Sequence, residues 1–241
     1  MFRFSAIAAL AIATPITLVA QQRDSTRLPR VVITATRLDS RIGSDIASVT
    51  VLDGDTLRAR GIRDVAEALR EIPGAAIMRS GSYGALTSLF MRGGESDYVR
   101  VLIDGVPMND PGGSIDLGKY TLDNIDRIEV VRGPASVLYG SDAVAGVIQI
   151  FTRQHAARLA VEGSVSGGTY AARAGDFSLG ATTSTVSVTM AAARRMTDGI
   201  LDFNNDYEND ALSGRVALTP GGGFRGAISA RQHTDEFHYP T

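Results

Sequence analysis

The sequence predicts an α+β domain followed by a run of about five antiparallel strands. Three observations carry this. Up to Thr152, short β-prone runs alternate with helical turns and Gly/Pro/Asp turn signals. Beyond it, apolar residues recur at every second position in segments of roughly ten residues, parted by glycine-rich breaks. The only long apolar run lies at the N-terminus, so the pattern is not that of a helical membrane protein. Period-two segments of this length suit a transmembrane β-barrel and a soluble β-sandwich about equally, and periodicity alone does not choose between them.

Composition narrows the function. The 241 residues are 44% hydrophobic and 21% charged, with a net charge of −2, which gives no electrostatic reason to expect nucleic acid. There is no cysteine, which excludes a disulfide scaffold, a thiolate metal site and a cysteine nucleophile. No GxxxxGK[ST], HExxH or GxSxG motif occurs, and His155, His233 and His238 lack metal-ligand spacing. Nothing argues for an enzyme.

Residues 1–20 read as a secretory signal peptide: Arg3 gives the positive start, Ser5 to Ala13 the apolar run, Pro15 a break and Ala20 a residue before cleavage. The alternative is an N-terminal membrane anchor, for which the apolar run is short. An exported chain without cysteine suits the bacterial envelope. Gln21 to Pro29 is a polar leader, and Arg30 to Arg37 is β-prone with no obvious partner beside it. Val49 to Leu52 predicts a strand, after which Asp53 or Asp55 caps a helical turn. Val65, Ala68, Leu69 and Ile72 fall at helical spacing within Asp64 to Glu71, ahead of the Pro73-Gly74 stop. Leu89 to Arg92, Tyr98 to Ile103, Arg127 to Val131 and Val147 to Thr152 read as strands, and Asp104-Gly105 as a turn. In the second half, Leu159, Val161 and Val165 share one face, as do Val186, Val188 and Met190, and then Phe224, Gly226, Ile228 and Ala230. Five strands cannot close a bacterial barrel, for which eight is the smallest number, so the pattern reads as one cut short.

Two stretches are specific. LFMRGGESDYVRVLIDGVPMND (Leu89 to Asp110) and DRIEVVRGPASVLYGSDAVAGVIQIFTR (Asp126 to Arg153) resemble the plug-domain signature of TonB-dependent outer-membrane receptors, in particular those for cobalamin. The resemblance runs from about Leu28 to Asp235. It implies an α+β plug domain followed by the first antiparallel strands of a truncated transmembrane β-barrel, in a family whose complete barrels have 22 strands around a plug. The domains it implies are the leader at 21–37, the plug at 38–155 and the barrel strands at 156–241. It also implies import of a scarce ligand, a corrinoid or alternatively a ferric siderophore, across the outer membrane with energy from periplasmic TonB. A stand-alone periplasmic plug-like binding module is the other reading, and it would leave valines and open sheet edges facing water.

Site residues follow from the same resemblance. Val31, Val32, Ile33, Thr34 and Ala35 look like the TonB box, a β-prone segment able to add as an edge strand to a partner sheet. Arg92 and Arg132 recur in the family's plugs and are expected to pair with barrel carboxylates. Two Gly-rich loops, Arg79 to Thr87 and Pro107 to Asp116, are expected to meet ligand, through Ser82, Tyr83, Leu86, Asn109, Gly112 and Gly113, and the resemblance also puts Ser88 and Glu95 at ligand-contact positions. Asp198 to Asp210 carries five carboxylates without Lys or Arg. A solvated acidic loop is the bland reading. The resemblance aligns the run with a calcium-binding loop, implying Asp202, Asp206, Glu208, Asp210 and Asp235 as oxygen ligands for Ca2+.

Overall fold

The computed structural model describes residues 31–32, 40–41, 48–155, 157–201, 203, 205–221 and 223–238. The signal peptide, most of the leader, Ile33 to Ala35 and Asp202 lie outside them. Two strands of two residues each, β1 (Val31–Val32) and β2 (Ser40–Arg41), pair antiparallel, Val31 opposite Arg41 and Val32 opposite Ser40.

The first domain is built on a five-stranded mixed sheet. Its strands are β3 (Ser48–Asp53), β6 (Val99–Ile103), β7 (Val106–Pro107), β8 (Ile125–Arg132) and β9 (Gly146–Thr152), in the order β3-β8-β9-β6-β7, with β6 and β9 parallel. Around it lie α1 (Gly54–Ala59), α2 (Val65–Leu69), the hairpin β4 (Ala75–Arg79) to β5 (Thr87–Met91), and α3 (Ser136–Tyr139). Alternation decides the core. Val101 and Ile103, Ile128 and Val130, and Ile148 and Ile150 point to one face and join Leu57, Leu69, Leu89 and Leu117 in the main cluster. Leu102, Val131 and Val147 point to the other and pack with Ala143. Burial on both faces is why β9 reads as the continuous apolar run VIQI.

The predicted turn signals hold. Asp53 caps α1, its Oδ1 accepting from the Thr56 N–H at 2.8 Å. Asp104 and Gly105 both have positive φ, the geometry of a tight hairpin turn between β6 and β7. Asp64 precedes α2 but makes no capping bond, because its carboxylate is engaged elsewhere. β2, β4, β7 and α3 are not contained in the sequence reading, and the full pairing of 75–79 with 87–91 makes the expected outward loop at 79–87 the end of a hairpin.

The second half is a five-stranded antiparallel meander, β10 (Ala160–Gly167), β11 (Arg173–Thr182), β12 (Val186–Thr197), β13 (Tyr207–Gly221) and β14 (Phe224–Phe237), each paired with the next. The count matches the sequence reading, and the sheet does not close. The connections at 168–172 and 198–206 lie at one end, and the tighter ones at 183–185 and after Gly221 at the other. The register sorts side chains into two faces. Val161, Val165, Phe177, Met190, Leu212, Val216 and Ile228 point away from the plug and are exposed. Ser178, Thr189, Ala191, Arg195 and Asn209 point toward it and are buried. An exposed apolar outer face with a polar inner face is the pattern of a membrane barrel wall, inverted from that of a water-soluble sandwich.

Candidate functional site

The plug meets the wall in a polar seam. Near the long-loop end, alternation along β12 turns Arg194 outward and Arg195 inward. Arg195 donates from one Nη to Asp64 Oδ1 at 2.7 Å and to the Tyr83 hydroxyl at 3.2 Å, and its other Nη lies 3.5 Å from Asp123 Oδ2. The Tyr83 hydroxyl donates to the Asp64 carboxylate, 2.8 and 2.7 Å from its two oxygens. The Tyr83 ring meets that of Tyr207 on β13 edge-on, centroids 4.9 Å apart at 84°. Side-chain exposures of 11% for Arg195, 13% for Asp64 and 15% for Asp123 put the group out of bulk water, where ion pairing is strongest. Burial pushes the Asp123 carboxyl above its usual value, and the charge of Arg195 opposes it. Burial, and then the Asp64 charge, push the Tyr83 phenol well above its usual value, so it remains a donor. Lower in the seam, Arg153 bridges Asp55 on α1 to Glu162 on β10. Asn209 Nδ2 donates to the Lys119 carbonyl at 3.2 Å, and Asn124 Nδ2 to Ser213 Oγ at 3.3 Å.

Above this latch, at the long-loop end, a cleft of about 510 Å³ opens between the plug and the first two wall loops. Ser82, Tyr83 and Arg63 line it from the plug, and Tyr170, Thr197, Ile200 and Asn205 from the wall. Its volume is that of a small-molecule site.

Of the eight residues expected to meet ligand, Ser82 and Tyr83 line this cleft, and the Tyr83 hydroxyl is already committed to the latch. Leu86 and Glu95 are exposed and Ser88 is half-buried in β5. Asn109 is a structural clamp: its Oδ1 accepts from Val101 N at 2.8 Å, and its Nδ2 donates to the carbonyls of Val99 at 2.9 Å and Gly113 at 2.6 Å. Gly113 has φ +92°, and a Cβ there would lie 2.7 Å from the Asp97 carbonyl, so the turn requires glycine. Gly112 sits exposed at the tip.

Arg92 and Arg132 do not make the expected pairs with the described wall strands. Arg132 donates to the Pro73 carbonyl at 3.2 Å and to Ser48 Oγ at 2.5 Å, within the plug, and exposed Arg92 sits beside Gly74 and Gly133. At the latch the wall supplies the arginine, Arg195, and the plug the carboxylates, whereas at the lower bridge the plug supplies Arg153 and the wall Glu162.

The four expected calcium ligands among the described residues, Asp206, Glu208, Asp210 and Asp235, are not brought together. Residues 207–210 open β13 instead of forming a loop, and a strand turns alternate side chains to opposite faces. Glu208 and Asp210 lie on the outer face beside Arg194, which is paired with Glu208 and 3.7 Å from Asp210. Asp235, opposite Asn209, lies on the inner face, 3.6 Å from His233. Asp206 sits 2.9 Å from His238. Among the described residues no group of three or more His, Asp or Glu converges with metal spacing.

Residues 43–147 match the family described as TonB-dependent Receptor Plug Domain. Over 147 residues, 61% of the chain, it is 36% identical to the vitamin B12 transporter BtuB of Vibrio vulnificus (strain CMCP6), of which it covers 24%. Two solved structures share the fold. One is the pyoverdine outer membrane receptor FpvA from Pseudomonas aeruginosa, at a TM-score of 0.73 and 17% identity over 85% of this chain and 30% of that one. The other is the siderophore receptor PirA from Acinetobacter baumannii, at 0.62 and 21% over 79% and 32%. The chain thus spans about a quarter of the length of the curated relative it matches. These relatives are named as transporters and receptors, not as enzymes.

Proposed function

We propose that this chain forms the plug and the first wall strands of an outer-membrane receptor that imports a scarce ligand with energy from periplasmic TonB. The observation that carries the reading is the two-faced wall: apolar and exposed outside, polar and latched to the plug inside. A surface of that kind is stable only with lipid on one side and a partner on the other. Short turns then mark the periplasmic end and longer loops the outer end, so the cleft at Ser82 and Tyr83 faces the medium.

The ligand favoured is cobalamin or a related corrinoid, because the relative at 36% identity is a vitamin B12 transporter. A ferric siderophore is the second reading, since receptors of that kind share the fold. Ligand settles in the outer cleft; the box segment beginning at Val31 pairs with a strand of TonB; pulling on it shifts the plug against the wall. In the described residues the box pairs with the chain itself over only two residues, a hairpin that an incoming strand can displace. No covalent chemistry is involved.

The test is Val32→Pro, which removes a backbone donor from the box. Cells carrying it should bind labelled cobalamin at the surface as before and fail to accumulate it. Normal accumulation would refute the box assignment, and absence of binding in cells with the unaltered protein would refute the corrinoid assignment.

A further inference from the structure

We propose that a gap at mid-height between plug and wall is a binding station for an oxyanion, built by Arg215 and Arg231. A cavity of about 230 Å³ lies there, with Asp104, Asn124 and Thr152 on the plug side. On the wall side the register sets Arg215 opposite Ser229 and Arg231 opposite Ser213. The two arginines are therefore diagonal neighbours on the same inner face, and long side chains in that relation reach a common point.

The charges in the gap do not balance. Asp104 is the carboxylate lining it, and both its oxygens are committed, Oδ1 to the Thr152 N–H at 2.9 Å and Oδ2 to the Thr152 hydroxyl at 2.6 Å. Arg215 Nε and Asn124 Oδ1 are buried without a hydrogen-bond partner. Buried polar atoms in a native protein are satisfied by protein, water or an ion. A water molecule is a sufficient partner for the amide oxygen of Asn124. A guanidinium with an unused Nε beside a second guanidinium presents forked donors matched to a phosphate or carboxylate. The volume admits a phosphate-sized group with several waters, each taking about 30 Å³.

Along the register the station lies nearer the short-turn end than the Arg195 latch, since Arg215 pairs with Thr189, six residues before Arg195 on β12. An oxyanion there has two sources: free anion, or a phosphate or carboxylate group on the cargo as it passes. The second source rests on the import reading above; the first does not.

The experiment titrates inorganic phosphate into the full chain in detergent by calorimetry and by phosphorus NMR line broadening. The unaltered protein should bind saturably. Arg215→Gln/Arg231→Gln should weaken binding at least about tenfold, and Arg215→Lys, which keeps the charge and loses the fork, by a smaller factor. Unchanged heat-modifiable gel migration shows that the variants are folded. No saturable binding by the unaltered protein, or equal binding by the folded double variant, overturns the station. Labelled cobalamin then separates the sources. Uptake several-fold lower in the double variant, with surface binding retained, assigns the station to cargo; unchanged uptake with phosphate binding lost assigns it to free anion. If cells with the unaltered protein take up no cobalamin, the import reading fails and the phosphate titration still decides the station.

Discussion

Arg195→Ala tests how the plug is held to the wall. The substitution takes one guanidinium from between two buried carboxylates, Asp64 at 2.7 Å and Asp123 at 3.5 Å. Removing one partner of a buried ion pair costs about 3–5 kcal/mol, because the other charge stays buried and unpaired. Here each carboxylate keeps one neutral donor, the Tyr83 hydroxyl for Asp64 and a Thr121 hydrogen bond for Asp123. The expected loss is therefore at the lower end, about 3 kcal/mol, a factor of roughly 150 in the unfolding equilibrium at about 1.4 kcal/mol per decade. The measurement is urea unfolding of the protein in detergent micelles. The chain has no tryptophan, so tyrosine emission reports the transition, and Tyr83 and Tyr207 sit at the latch itself. Asp64→Ala and the double variant complete a cycle. Once Arg195 is gone, removing Asp64 relieves a buried charge, so the double variant should fall short of the sum of the singles by more than about 1.5 kcal/mol. Additivity within about 0.5 kcal/mol would show that Arg195 and Asp64 do not interact, and the latch with it would be refuted.

Gly84→Ala should act on the same contact from the other side. Gly84 has φ +86°, and a Cβ there would collide with the Tyr207 ring, so a loss of about 1–3 kcal/mol is expected in the same unfolding assay. Gly112→Ala, at φ +102° with nothing within 4 Å, carries the backbone strain alone and should cost less. For Asp55, partial burial works upward, but hydrogen bonds to and the charges of Arg58 and Arg153 outweigh it and hold the carboxyl below 3.8. A lowered folded value means stability that is full above 3.8 and lost as pH falls through the folded value. Asp55→Asn should remove that part of the acid dependence, seen as a flatter fall in urea midpoint between about pH 4 and about pH 2; an unchanged fall would sink the assignment.

The parts of the fold that were legible in the sequence are those whose cause is local. β10, β12 and β14 announce themselves because Val161, Val165, Val186, Val188 and Ile228 recur with period two on the outward face. β11 is harder, since Gly175 and Ala181 share its outer face with Phe177 and Leu179 and dilute the contrast. The start of β13 is hardest. Its outer positions there are Glu208 and Asp210, polar where Leu212, Val216 and Leu218 further along the strand are apolar, and the run DYEND looks like a loop when read alone. β4 hides because Ala76 and Met78 are exposed and its pairing depends on β5. The latch was not legible at all. Asp64 has the form of a helix cap, and its partner stands 131 residues further along the chain. The one available signal was Arg195 itself, a charge at an inner position after Thr189, Ala191 and Ala193.

That inner row has a consequence for how plug and wall part. Apart from Tyr207, whose ring packs against Tyr83, the wall presents Ser178, Ala191, Ala193, Asn209 and Ser213 to the plug, small or polar side chains with little apolar area to lose. The plug core is closed separately, around Leu57, Leu69, Ile128 and Ile148, without help from the wall. Separating the two surfaces therefore exposes little hydrophobic area, and at about 25 cal/mol per Å² that term is minor. What resists separation is a small set of charged contacts: Arg195 with Asp64 and Asp123, and Arg153 with Glu162. Such contacts break over a short displacement and can be remade with water, whereas an apolar interface resists until all its area is exposed. A plug seated this way holds its own fold while its grip on the wall stays local and separable, the mechanical property that the proposed pulling by TonB requires.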